Sequence, residues 1–405
     1  MTEPDPDFDI GEQSPPSSPP TSPEPDPVSP VRAADEPAEA ILFEESPAVG
    51  SQSAPLGPGL RESLLWILGF FFLEIAGSTV WTMMVMFAHL VRTGAMPSQD
   101  ELPALLTPVM AWMIGTIKFA EVLAALAAIR LRFGRQAFSL TGFRRVPIVH
   151  ALILGLAVLP AAVLSGQSFA LLQGWWHRLV ELAPGLQVFD KLSSIEAVQA
   201  MAASTPLAVL VLIIALFPAL NEEFVFRAAI GRGLLARYGV IGGIALTSMY
   251  FAAVHLNPVH ALALLPLSVL MHVGYLSSGS IWAPVGVHFL NNALSVLLMK
   301  LATQETSIGG VTTDVTQAPF SPLLFVASAA CVAATIWLLL EIRVQWQLPG
   351  GASWRPARPS VEPPPAGIDA TRVIPTPSIA AVLTTAICYV LYPVALVAGL
   401  MLAAR

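Results

Sequence analysis

The stretch Leu210-Val-Leu-Ile-Ile-Ala-Leu-Phe-Pro-Ala-Leu-Asn-Glu-Glu-Phe-Val-Phe-Arg227 sets two adjacent carboxylates and an arginine inside a strongly apolar run. A charged group at the centre of a membrane helix costs roughly 2.5–3.5 kcal/mol on insertion scales, so each such residue needs a reason. On a helix Glu223 and Arg227 are i, i+4 neighbours and can pair. Glu222 projects about 100° away, towards a different neighbour. The spacing therefore predicts an internal Glu223–Arg227 ion pair and a Glu222 that is free to act. The bland alternative places all three at a helix end among lipid headgroups.

The composition around this stretch sets the class. Of 405 residues, 55% are hydrophobic and only 12% charged, about half the charge of an ordinary soluble domain. A soluble globule of this size is excluded. Cys331 and Cys388 both lie in apolar runs, which removes a disulfide framework or a cysteine-rich metal site. The formal net charge of −7 is uneven: residues 1–50 hold 12 of the 27 acids and one base, Arg32. Residues 1–60 also carry 14 of the 36 prolines and read as a disordered, acidic cytoplasmic tail. They have neither the basic nor the apolar region of a signal peptide.

After Arg61 come apolar runs of the ~20 residues that cross a hydrocarbon core of ~30 Å. The predicted spans are 64–91, 103–129, 147–172, 206–221 (continuing towards 237), 240–256, 259–276, 281–301, 321–342 and 379–403. Their apolarity is continuous, without period-two alternation, so they are helices and not barrel strands. The expected fold is all-α: a polytopic transmembrane bundle of eight to nine helices behind a disordered tail. The domains read as the tail (1–60), the bundle (61–345, with its motif core at 138–302), a Pro-rich cytoplasmic loop (346–378) and a last transmembrane helix (379–405). Arg130, Arg132, Arg135, Arg144 and Arg145 fall in one acid-free loop, which the positive-inside rule places in the cytoplasm together with the N-terminus. Residues 173–205, opened by Trp175 and Trp176, read as an interfacial helical stretch on the other side. The expected location is the cell membrane, multi-pass.

Two further polar intrusions follow. His255 ends Ser248-Met-Tyr-Phe-Ala-Ala-Val-His255, with Phe251 one turn earlier on its face. His288 and Asn292 in Trp282-Ala-Pro-Val-Gly-Val-His288-Phe-Leu-Asn-Asn292 share a face at i, i+4. Glu222 lies 16 residues before Tyr238 and His255 lies 17 after it. Arg237, Tyr238 and the Gly242-Gly243 pair are read as the turn between, so at 1.5 Å per residue both sit at matching depth. His288, only eight residues past Ser280, meets Glu222 only if the Glu222 helix projects beyond the bilayer or the 277–280 turn is recessed. A carboxylate and imidazoles converging in a hydrated pocket make a hydrolytic site: Glu222 as general base towards water, histidine and Asn292 donors for the oxyanion. Glu222, His255 and His288 are also a zinc-compatible donor set, and the residue types leave both chemistries open. There is no H-E-x-x-H helix, and no aspartate lies within a span.

These motifs resemble the CPBP family of CAAX prenyl endopeptidases of the Ras-converting type and their bacteriocin-associated bacterial relatives. The resemblance rests on Glu222-Glu223-x-x-x-Arg227, Phe251-x-x-x-His255 and His288-x-x-x-Asn292 in order, with Gly142-Phe-Arg-Arg145 and Gly279-Ser-Ile-Trp-Ala-Pro284 beside them. It covers about residues 138–302. It implies an intramembrane metalloendopeptidase with Glu222 as the water-activating residue. It also implies essential roles for His255, His288 and Asn292, and a supporting pair in Glu223 and Arg227. The implied partners are the lipid bilayer and a membrane-associated peptide or protein, with no nucleic acid. The alternatives are a non-catalytic immunity or scaffold protein and, through Glu74, Lys118 and Glu121, a transporter. His89, His150, His177, His260 and His272 read as packing or interfacial residues.

Overall fold

The computed structural model describes residues 55–192, 201–202, 204–309 and 319–403. The chain separates into two units, Met1–Pro37 and Ala38–Arg405, and every described residue belongs to the second. The tail up to residue 54 lies outside the description, as do residues 193–200 of the expected interfacial stretch and residues 310–318 of the loop before the eighth predicted span.

Ten helices carry the described fold: α1 Leu60–Thr93, α2 Met110–Phe133, α3 Ile148–Leu182, α4 Phe217–Glu223, α5 Arg232–Ala253, α6 Pro258–Ala263, α7 Leu265–Ser278, α8 Trp282–Gly309, α9 Pro322–Glu341 and α10 Ile379–Ala403. Their ends follow local chemistry. Gly94 and Gly279 adopt left-handed conformations after α1 and α7 and donate back to Leu90 and Tyr275, as C-terminal glycines do. Ser321 caps α9 with Pro322 at its first position. α3 runs ten residues beyond the predicted end at 172. Trp175 is exposed on it, while Trp176 is buried and donates to Asp190 at 2.7 Å.

Seven described segments are long and apolar enough to cross a membrane, among them Leu207–Ala253, with 47 residues. The sequence reading of eight to nine spans is close and differs for two reasons. Leu207–Ala253 contains a reversal at Gly239 (φ 70°, ψ −175°) and counts as one segment. The chain from Pro258 to Ser278 is interrupted at Leu264, leaving an α7 of only 14 residues. The reversal lies at Gly239 and not at Gly242-Gly243. Gly243 instead lets the following arm close on the preceding one, because a Cβ there would stand 2.6 Å from the Leu235 Cα.

Apolar side chains of α3, α5, α7 and α9, such as Leu154, Leu235, Leu270 and Leu339, form the buried core. α1 and α10 present Leu65, Phe72, Val390 and Val394 outward, the surface a bilayer covers. The chain is a multi-pass membrane protein, and α1 is tied to α2 by Glu62–Arg132 and by Glu74–Lys118.

The turn that precedes His288 is covered by protein. Ser277, Ser278, Ser280 and Ile281 are completely buried. The loop after α2 covers them, Ile281 donating to the Gly142 carbonyl at 2.9 Å. On the other side lies a small antiparallel sheet of β1 Gln345–Gln347, β2 Ser353–Trp354 and β3 Thr371–Val373 in the order β2-β1-β3. Val344 donates to Ser277, and Arg372 of β3 donates to Ser278. The turn is therefore recessed into the protein, and the stretch read as a Pro-rich loop builds part of its cover.

Gly239 has a conformation that side chains resist at a cost of about 1–3 kcal/mol. Gly239→Ala is expected to lower the melting temperature in detergent. Gly155→Ala, in the open on α3 with no atom near its added methyl, should raise it slightly through better helix propensity.

Candidate active site

The helix that carries the acidic motif is irregular where it matters. α4 is flanked by π-helical Val211–Leu216 and Phe224–Gly231, the kind of local widening that recurs at functional sites. Pro218 has no N–H to offer the Ile214 carbonyl. That carbonyl accepts a hydrogen bond from the Asn292 amide of α8 at 3.3 Å. Asn292 thus stitches α8 to the π-helical turn two helical turns ahead of Glu222, and its second N–H is left for another acceptor. No hydrogen bond joins Asn292 to Glu222, His255 or His288 among the described residues.

Glu223 and Arg227 are both fully buried and meet at 2.8 Å. Arg227 also donates to the Ser268 hydroxyl at 2.8 Å and the Ser268 carbonyl at 3.1 Å, from α7. Its guanidinium lies over the Phe251 ring at 4.5 Å. His288 of α8 joins this pair, its Nδ1 lying 2.8 Å from Glu223 Oε1. Because a carboxylate only accepts, Nδ1 carries the proton and Nε2 is left facing Glu222 Oε2 at 3.9 Å. That separation is too long for a direct hydrogen bond and is one that a bridging water can span. Glu222 Oε2 is buried and makes no hydrogen bond.

Phe251 links the third element. Its ring stands edge-on to both His255, at 5.4 Å, and His288, at 5.8 Å. His255 Nδ1 lies 3.2 Å from the Phe251 carbonyl, which fixes the ring and turns Nε2 away from its own backbone. Just after it, Asn257 N–H bonds the His255 carbonyl at 2.6 Å around Leu256, whose φ is +58°. This is a strained γ-turn, held because Asn257 then caps α6 through His260 N–H at 3.0 Å.

Glu222, Glu223, Arg227 and His288 are thus in direct proximity, His255 joins them through Phe251, and Asn292 lies along α8 against Ile214. His260, read as a packing residue, places its ring 4.9 Å from His255. Two contributors escaped the reading of the sequence. Ser268 is an ordinary residue in an apolar helix. Asn221 donates to Glu121 Oε2 at 2.5 Å, and Glu121 shares Lys118 with Glu74; its place next to Glu222 was the available signal.

Among the described residues no three His, Cys, Asp or Glu side chains are arranged to hold a metal. Of the candidates Glu222, His255 and His288, Glu222 and the bare Nε2 of His288 stand 3.9 Å apart, and His255 reaches them only by way of the Phe251 ring. The set does not fit a zinc centre in this arrangement.

Residues 204–294 match the family model of the type II CAAX prenyl endopeptidases, Rce1-like. All three motifs lie inside the matched segment, so the resemblance drawn from them is shown for that part of the chain. The chain is thus a multi-pass helical membrane protein whose polar centre lies in a segment similar to that endopeptidase family. No curated protein and no solved structure matches the chain.

Glu223→Gln would leave Arg227 buried without its counter-charge, and breaking one side of a buried pair costs about 3–5 kcal/mol. The variant is expected to lose that stability in a detergent melting or denaturation assay. Glu223→Gln combined with Arg227→Met should recover a large part of it.

Proposed function

We propose that the protein is an intramembrane endopeptidase that hydrolyses peptide bonds of membrane-associated substrates, with water activated by Glu222. The observation that carries this reading is the 3.9 Å approach of a hydrogen-bond-free Glu222 oxygen to the His288 Nε2, itself fixed by Glu223. A water held between them gives its proton to the Glu222 carboxylate as its oxygen bonds to the scissile carbonyl carbon. The carbonyl π electrons move to its oxygen, and the free N–H of Asn292 is the donor for that oxyanion, while the bare Nε2 of His288 accepts the other hydrogen of the attacking water and so holds it. Collapse breaks the C–N bond, and Glu222 returns the proton to the departing amine. Glu223 and Arg227 serve as positioning residues, acting through His288. All steps use side chains of this chain, and none is routed through a metal.

CAAX-type substrates are the family's named association and the first class to try. We also propose the N-terminus and the 130–145 loop on the cytoplasmic side, on the strength of the arginine asymmetry. The transporter alternative drew on Glu74, Lys118 and Glu121, and their mutual pairing supports a structural role for that cluster. An immunity or scaffold function stays distinguishable by activity alone.

Glu222→Gln preserves size and removes the base. In proteoliposomes with a membrane-anchored peptide it is expected to lower turnover by at least about 100-fold, with an unchanged melting temperature. Retained turnover in a folded variant would refute the assignment of the base.

A further inference from the structure

Glu222 sits on a short helix whose own backbone is irregular on both sides. α4 has seven residues between two π-helical stretches, and Pro218 offers no N–H to Ile214. Glu222 Oε2 makes no hydrogen bond that would hold it in place. Whether it faces His288 therefore depends on how α4 is turned about its axis.

Successive residues on a helix point about 100° apart, so Asn221 and Glu223 flank Glu222 on either side. Both are completely buried, and both are tied to another helix. Glu223 meets His288 of α8 at 2.8 Å. On the opposite side, Asn221 Nδ2 donates to Glu121 Oε2 of α2 at 2.5 Å. A helix held at one point pivots; held on two sides it does not. The second tie is itself anchored. Lys118 Nζ lies 3.2 Å from the same Glu121 oxygen, donates to Glu74 Oε1 of α1 at 3.0 Å, and stands 5.1 Å over the Phe70 ring.

Stability does not account for the tie. Glu74 already supplies Lys118 with a counter-charge, so Glu121 sets a second carboxylate against one cation. Glu121 Oε1 and Asn221 Oδ1 stay buried without a hydrogen-bond partner, which carries an uncompensated desolvation cost. Apolar side chains in place of buried polar groups are often neutral or stabilising. What Glu121 adds is a fixed point for the residue next to Glu222.

We propose that Glu121 and Asn221 form the second tie that turns Glu222 towards His288, and are positioning residues for the hydrolysis. The inference rests on Glu222 acting as the base.

The test assays the full chain in proteoliposomes with the membrane-anchored peptide, reading kcat, KM and melting temperature. Asn221→Leu and Glu121→Leu cut the tie from either end. Each is expected to lower kcat at least about tenfold, as misplacement of a reacting group does, with KM changed less than about twofold. The double variant should lose no more than the slower single one, because both remove the same contact. Glu121→Gln should keep kcat within about threefold, since it retains the oxygen that accepts from Asn221 and alters only the one without a partner. Glu62→Gln, which breaks the other α1–α2 pair, should leave kcat unchanged. Wild-type kcat in a folded leucine variant, losses that multiply in the double variant, or a Glu121→Gln as slow as Glu121→Leu overturns the proposal. Should the leucine variants not fold, Asn221→Asp, which sets acceptor against acceptor, is compared with the reversed pair Glu121→Gln with Asn221→Asp. The first must lose turnover and the second must regain it; failure of either overturns the tie. Glu222→Gln run alongside separates the two claims. Full turnover there refutes the base, whereas a slow Glu222→Gln beside fast leucine variants refutes the tie alone.

Discussion

One buried contact holds the polar centre together: Glu223 against Arg227, both without solvent access. Two charges taken out of water are tolerated only when their remaining hydrogen-bonding capacity is met. Ser268 and the Phe251 ring serve Arg227, and His288 serves Glu223. Each partner comes from a different helix, so meeting the needs of one ion pair fixes α5, α7 and α8 around the acidic motif. The position and tautomer of His288, and with them the separation from Glu222, are consequences of that contact.

Backbone irregularity follows the same logic. In lipid every N–H and C=O needs an internal partner, and broken helices are tolerated only where protein covers them. The π-helical Phe224–Gly231 and the 277–280 turn are buried in the protein, and Asn292 closes the Pro218 gap. The outward surfaces of α1 and α10 are, by contrast, regular and apolar. Departures from ideal helix cluster around Glu222 and His255, which is where shape and not only stability is at stake.

Legibility in the sequence tracked the cost of misplaced polarity. Glu222, Glu223, Arg227, His255, His288 and Asn292 stood out because charged and amide groups are expensive in apolar runs, and the i, i+4 spacing already implied the Glu223–Arg227 contact. The reversal near Tyr238 was legible to within a residue or so. Ser268 and Asn221 were not, because hydroxyls and amides next to a charged motif are cheap at buried helix ends and carry no spacing signal of their own. Strands β1 to β3 were also missed, since Pro- and Gly-rich segments of two or three paired residues carry almost no periodicity.

Apolar run length, arginine asymmetry and the three short motifs are properties of contiguous chain, and they determined a helical membrane protein with a polar centre before any coordinates. Contacts between residues 65 or more positions apart were decided only by tertiary packing. These include His288 to Glu223 and the cover of the turn before α8. Spacing within a helix is fixed by its pitch, but which helices become neighbours depends on how all their faces are buried at once, and no local pattern encodes that.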